Sequence, residues 1–153
     1  MTPNSSSTGR GGRVTSSRLR RLAWFRYCLR RFLRFSERAA RSCGLTPQQH
    51  QLLLGIAGYT GRQWATISEL AEFLQQRHNA VVGLVQRAAR RGLIRKDHSA
   101  RDRRFVRVRL TRRGVMVLRK LTRLHLQELK RMQLQIAHIL RVRPHTINAA
   151  RGA

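Results

Sequence analysis

Carboxylates are scarce in this sequence. Six Asp and Glu stand against 33 Lys and Arg in 153 residues, a formal charge of +27. The acids are Glu37, Glu69, Glu72, Asp97, Asp102 and Glu128, and no two pair in a pattern suited to acid–base catalysis. No Ser/His/Asp arrangement and no phosphate-binding glycine loop is present either, so the reading is not an enzyme and no cofactor is expected. Cysteine is scarce too. Cys28 and Cys43 fall on one helical pattern, about 22 Å apart at 1.5 Å per residue, too far for a bridge. Two unbridged thiols fit a reducing compartment, and the expected location is cytoplasmic, at the nucleoid. The six histidines show no metal-ligand spacing with Cys or acids. Long apolar runs are missing. The longest, residues 52–58, is far too short to cross a bilayer, so no membrane partner is expected.

Arginine fills the space these absences leave. Only Lys96, Lys120 and Lys130 are lysines, and arginines run from Arg10 to Arg151. Because every segment is basic, the charge is not a tail on a neutral domain. Such an excess repels itself in free solution and favours a polyanion, with double-stranded DNA as the expected partner.

Residues 1–17 are rich in Ser, Thr and Gly and read as a disordered basic tail without a secretory signal. An organellar leader would also be acid-poor, but here the whole chain is. Residues 18–41 read as a helix, with Leu22, Phe25, Leu29, Phe32 and Leu33 at three- and four-residue spacing and Gly44 as the stop. Thr46-Pro47-Gln48-Gln49 has the form of a capping box. Its helix is expected to bury Leu52, Leu53, Ile56 and Ala57, before a loop bracketed by Gly58 and Gly61. Thr66-Ile67-Ser68-Glu69 is a second box, whose helix buries Ile67, Leu70, Ala71 and Leu74. A turn over 75–78 follows. Asn79 is a plausible cap for a helix to about Arg91, with Val81, Leu84, Val85 and Ala88 inward and Gly92 as the stop.

A hairpin pattern comes next. Leu93-Ile94-Arg95 opens it, residues 97–103 form the tip, and residues 105–110 return, with Val106, Val108 and Leu110 alternating against Arg107 and Arg109. Thr111 caps a long last helix, where Leu118, Thr122, His125, Leu129, Met132, Ile136 and Ile139 follow a near-coiled-coil period. Residues 141–153 read as a weakly structured tail. Apolar stripes on both the first and last helices suggest a two-fold dimer.

The fold class is therefore mainly α with a small β-hairpin wing. A DNA-reading core at 45–112 is flanked by dimerisation helices at 18–43 and 112–140. A short helix pair beside an arginine ribbon fits a duplex, with the second helix in the major groove. Arg77, His78, Asn79, Val82, Gly83 and Arg87 are the candidates on that helix, and Arg101, Asp102, Arg103 and Arg104 those on the wing. Asn79 can read adenine or cap the helix; Arg77 and Arg87 can read guanine or hold phosphate. Val82 and Gly83 permit close approach or thymine-methyl contact.

The blocks Leu45-Thr46-Pro47-Gln48-Gln49, Thr66-Ile67-Ser68-Glu69-Leu70-Ala71, Arg91-Gly92-Leu93-Ile94, Asp102-Arg103-Arg104 and Leu110-Thr111-Arg112-Arg113-Gly114 occur in order. With the run from His78 to Arg87 they resemble the multiple-antibiotic-resistance regulator (MarR) family of bacterial transcription factors, over about residues 19–140. The resemblance implies a winged helix-turn-helix homodimer that represses from a pseudo-palindromic operator and releases DNA on meeting a small ligand or an oxidant. It implies that Asp102 orients Arg104 into the minor groove. Cys28 is the residue an oxidant would address, against its reading as a small buried hydrophobe. Trp24 and Trp64 could line an effector pocket, against their reading as core. The chain departs from the family at Gln86, Ala88 and Ala89, in the polar character of residues 141–153, and in its net charge. Two other function classes fit the same residues: a non-specific architectural DNA binder, and a protein-interaction module that has kept the fold.

Overall fold

Thr15 opens the first helix, its hydroxyl accepting from the Arg18 backbone N–H at 3.4 Å. The computed structural model describes residues 15–59, 61–98 and 106–141. Helix α1 spans Ser16–Ser42 and α2 Pro47–Gly58. A two-residue strand, β1 (Ala65–Thr66), leads directly into α3 (Ile67–Leu74) and then α4 (His78–Arg90). Strands β2 (Ile94–His98) and β3 (Val106–Leu110) precede α5 (Arg112–Arg141).

Both expected capping boxes form. Thr46 and Gln49 exchange side-chain and backbone hydrogen bonds, as do Thr66 and Glu69. Each box satisfies two of the N–H groups that a helix start leaves without partners. At the other end of α4, Gly92 takes φ +66°, where a side chain would be strained. This lets Gly92 N–H donate to Ala89 O and Leu93 N–H to Ala88 O, closing the helix.

The sheet differs from the expected two-stranded wing. It has three strands in the order β1-β3-β2, all antiparallel, with Ala65 opposite Val108 and Thr66 opposite Arg107. β1 escapes notice because two residues carry no periodicity. The hairpin is also longer than its pattern suggests. Asp97 and His98, read as tip, pair with Arg107 and Val106 inside the ladder. The core lies between the sheet and α2, α3 and α4. Leu52, Leu53, Ile56, Leu70, Val81, Val85, Leu93 and Val108 are almost completely buried there. Ala57, expected inward, is exposed; Gln49 and His50 take the buried places at the start of α2.

The stripes of α1 and α5 meet each other. Cys28 Sγ lies 3.9 Å from Gln135 Oε1, and Ser36 Oγ lies 2.9 Å from His125 Nε2, so the helices run antiparallel. His125 is held at both nitrogens. Leu121 O, 2.8 Å from Nδ1, can only accept, so Nδ1 carries the proton. Ser36 Oγ is the partner at Nε2. The His50 ring packs 4.6 Å from that of His125, with Phe32 and Phe35 edge-on to the latter, which ties α1, α2 and α5 at one point. Part of each stripe is therefore covered within one chain, contrary to the expectation that both need a partner. What stays open on α1 is Leu22, Phe25, Leu29 and Leu33.

Candidate nucleic-acid interface

Helix α4 has two opposed sides. Val81, Leu84, Val85 and Ala88 are buried. Arg77, His78, Asn79 and Arg87 are exposed, and Val82 and Gly83 are half-buried between them. Gln86 and Arg90, which the sequence reading did not single out, are exposed at the same three- and four-residue steps. The signal was available: 79, 82, 83, 86, 87 and 90 are one side of a 3.6-residue helix. No carboxylate occurs from 77 to 90. Gly83 leaves a shallow notch, in which a Cβ would meet Arg87 Nη1 at 3.3 Å.

The start of α4 corrects one expectation. Asn79 is not the cap. Arg77 holds that position, in extended backbone, and makes no side-chain cap bond. Gln75, in the left-handed region at φ 51°, ends α3 one turn earlier and shortens the connection. The first turn of α4 contains no acid, so its N–H dipoles and Arg77 present uncompensated positive potential to solvent.

The strands carry a second basic surface. Asp97 O atoms lie 2.9 Å from Arg109 Nε and 3.6 Å from Arg95 Nε, so one carboxylate is shared by two guanidiniums. Arg107 lies 4.6 Å over the Trp64 ring, and Arg62 lies 4.3 Å over Trp64 and 4.5 Å over Tyr59. Arg62 is neutralised by Glu69. Arg107 has no carboxylate partner among the described residues, so stacking orients it while its donors face outward. Arg101, Asp102, Arg103 and Arg104 lie outside the described residues.

The other candidates sort clearly. Cys28 is 4% exposed between α1 and α5, Cys43 is half-buried, and both are free thiols. Trp64 is in the arginine stack and Trp24 is on the surface. A cleft of about 480 Å³ lies between α2, the sheet and α5, with Ile56, Leu110 and Leu118 below Arg95, Arg109 and Arg119. Among the described residues no helix is long and apolar enough to cross a membrane. No group of three or more His, Cys, Asp or Glu there could hold a metal ion.

Paired short helices, a three-stranded antiparallel sheet and a long following helix are the winged-helix arrangement. Residues 44–104 match the MarR family. Over that stretch, which is less than half of its length, the chain resembles the MarR family, and the solved structures agree on the fold. AbsC, a MarR family transcriptional regulator from Streptomyces coelicolor, is 20% identical over 87% of this chain and 86% of its own, with a TM-score of 0.67. Sco3205 from the same organism, solved in complex with DNA, is 19% identical over 90% and 82%, at 0.66. BpsR of Bordetella bronchiseptica, whose DNA binding is regulated by 6-hydroxynicotinic acid, is 20% identical over 76% and 92%, at 0.58. No curated protein matches the chain.

Proposed function

We propose that this chain is a DNA-binding transcription regulator of the MarR family, a homodimeric repressor at a pseudo-palindromic operator. The observation that carries the reading is the acid-free outer side of α4, held out by a fully buried inner side. In this reading α4 enters the major groove. Asn79 and Arg87 read base edges, Arg77 and His78 hold phosphates, and Val82 and Gly83 allow close approach. The wing residues Arg101, Arg103 and Arg104 reach the minor groove, with Asp102 orienting Arg104. The regulators solved with DNA, Sco3205 among them, support the docking mode. The effector site is the cleft beneath Arg95, Arg109 and Arg119, whose guanidiniums over an apolar floor suit a small organic anion. Regulation of BpsR by 6-hydroxynicotinic acid is a precedent for that chemistry. Cys28 is too enclosed to meet an oxidant first.

Selection of bound duplex from a random pool gives the site with which to test this. On the selected duplex Asn79→Ala is expected to cost roughly 1–3 kcal/mol, and much less on random DNA. Arg104→Ala should weaken both without changing the circular dichroism spectrum. Equal losses from Asn79→Ala on the two DNAs would assign Asn79 to phosphate and favour an architectural binder.

The dimer would use the open stripe of α1, Leu22, Phe25, Leu29 and Leu33, and the exposed Leu126 and Leu134 of α5. Two copies bring together strongly positive chains, and screening shortens their repulsion to about 8 Å at physiological salt. Sedimentation in a salt series should therefore find the dimer firmer as salt rises, while DNA affinity falls. A monomer at every salt, with and without DNA, would leave a single winged helix as the functional unit.

A further inference from the structure

Helix α1 has three faces. One, through Cys28, Phe32, Phe35 and Ala39, packs on α5 and the core. A second is the open leucine stripe. The third runs Arg20, Trp24, Tyr27, Arg31, Arg34 and Arg38, in alternating steps of four and three residues, all six exposed. At 100° per residue this row lies roughly 180° around the helix from the leucine stripe, and it extends about 27 Å. A dimer built on the stripe leaves the row open.

The row's chemistry is unusual for an idle surface. Its four guanidiniums have no carboxylate partner among the described residues. The single acid of α1, Glu37, lies off the row, 3.9 Å from Arg41. Trp24 and Tyr27 are 52% and 44% exposed in the middle of it, edge-to-face with centroids 5.4 Å apart. Phe32 and Phe35, by contrast, close on His125, and Trp64 lies between arginines; Phe25 and Phe73 are also exposed, but neither lies in a row of arginines.

We propose that this row is a second nucleic-acid surface, separate from α4, that takes a single strand. The arginines track phosphates, and Trp24 and Tyr27 offer rings for unpaired bases. Charge complementarity selects a polyanion. The exposed ring pair selects among polyanions, because a duplex turns the faces of its bases inward and a single strand does not. A bilayer fits less well: the row has no aliphatic side chain to insert, and the leucines point the other way. A second copy of this chain would bring only more positive charge. The N-terminal half of α1 runs beside the C-terminal half of α5, through Cys28 and Gln135, and the row does not depend on what α4 binds.

The test uses the full chain carrying Trp64→Phe, which leaves Trp24 as the only one of two tryptophans. Oligothymidylate is expected to quench Trp24, and a duplex is not. Trp24→Leu should weaken oligothymidylate binding about tenfold or more, and Trp24→Phe, which keeps a ring, should restore most of it. Neutralising Arg31, Arg34 and Arg38 together should lower the salt slope by about 2. Neutralising Arg112, Arg113 and Arg123 on α5 should lower it less. Duplex affinity should be unchanged by Trp24→Leu, and oligothymidylate affinity unchanged by Asn79→Ala, which separates this surface from the α4 reading. Four results would overturn the inference: equal affinity in Trp24→Leu, equal slopes in the two arginine triples, Trp24 already shielded from acrylamide in the protein alone, or Trp24 responding to duplex or to phosphatidylserine vesicles instead.

Discussion

Gly114→Ala is expected to cost about 3 kcal/mol or more, the largest loss from any single methyl group in this chain. A Cβ at position 114 would lie 2.1 Å from the Leu93 carbonyl oxygen and 3.1 Å from its carbon. Both are backbone, so no side chain can move aside. The backbone itself is pinned. Thr111 N–H donates to Leu93 O at 3.1 Å, and the Thr111 hydroxyl lies 2.6 Å from Gly92 O and 3.1 Å from Leu93 O. Gly114 N–H returns to the Thr111 hydroxyl at 3.1 Å. To admit a methyl group, α5 must retreat from the end of α4 and break this set. Urea denaturation of Gly114→Ala against Gly58→Ala tests it. Gly58 ends α2 with nothing within 4 Å, so alanine there should be neutral or gain up to about 1 kcal/mol. A Gly114→Ala protein within about 0.5 kcal/mol of the parent would mean that α5 does not sit this close to Leu93.

Acid should destabilise the fold through His50 before it protonates the carboxylates. His50 is 2% exposed, its Nε2 has no hydrogen-bond partner among the described residues, and burial, with the neighbouring His125, lowers its pKa from 6.5 to about 4. The folded state therefore holds His50 neutral while the unfolded chain takes up a proton below pH 6.5. Stability is complete above 6.5, falls as pH drops, and levels off below about 4, with a total loss of about 3 kcal/mol from this group. His50→Leu keeps the packing and removes both the titration and the orphaned nitrogen. Stability measured from pH 7.5 to pH 4 should fall less steeply in His50→Leu than in the parent. Parallel curves would show that His50 is solvated in solution.

Much of the fold was legible because local chemistry and packing agree. The Thr46 and Thr66 boxes and the Gly92 stop are written in three or four residues each, and the structure uses them as written. The inner side of α4 follows from a 3.6-residue period with no competing pattern. What was not legible depended on distant residues. β1 exists only because Ala65 and Thr66 find Val108 and Arg107 some forty residues on. Asn79 was a fair candidate for the cap, but Gln75 ends α3 early and α4 starts at His78 with Arg77 before it. Asp97 and His98 read as part of the tip, yet the ladder carries them. The apolar periods of α1 and α5 were plain in the sequence. Their choice of each other over a partner depended on His125, a polar residue that Ser36 and Leu121 satisfy completely.

Arg91, just past α4, reaches back across the chain. Its Nη1 donates to Gln49 Oε1 and its Nη2 to Gly44 O, both at 2.6 Å. Gln49 Oε1 is the same atom that receives the Thr46 N–H at the start of α2. The corner where α1 turns into α2 and the trailing end of α4 thus hang on one shared oxygen and one carbonyl. Tilting α1 by even an ångström at that corner must stretch two short charged bonds or drag Arg91 along. Through Arg91, the α1–α2 corner and the trailing end of α4 are thus positioned together.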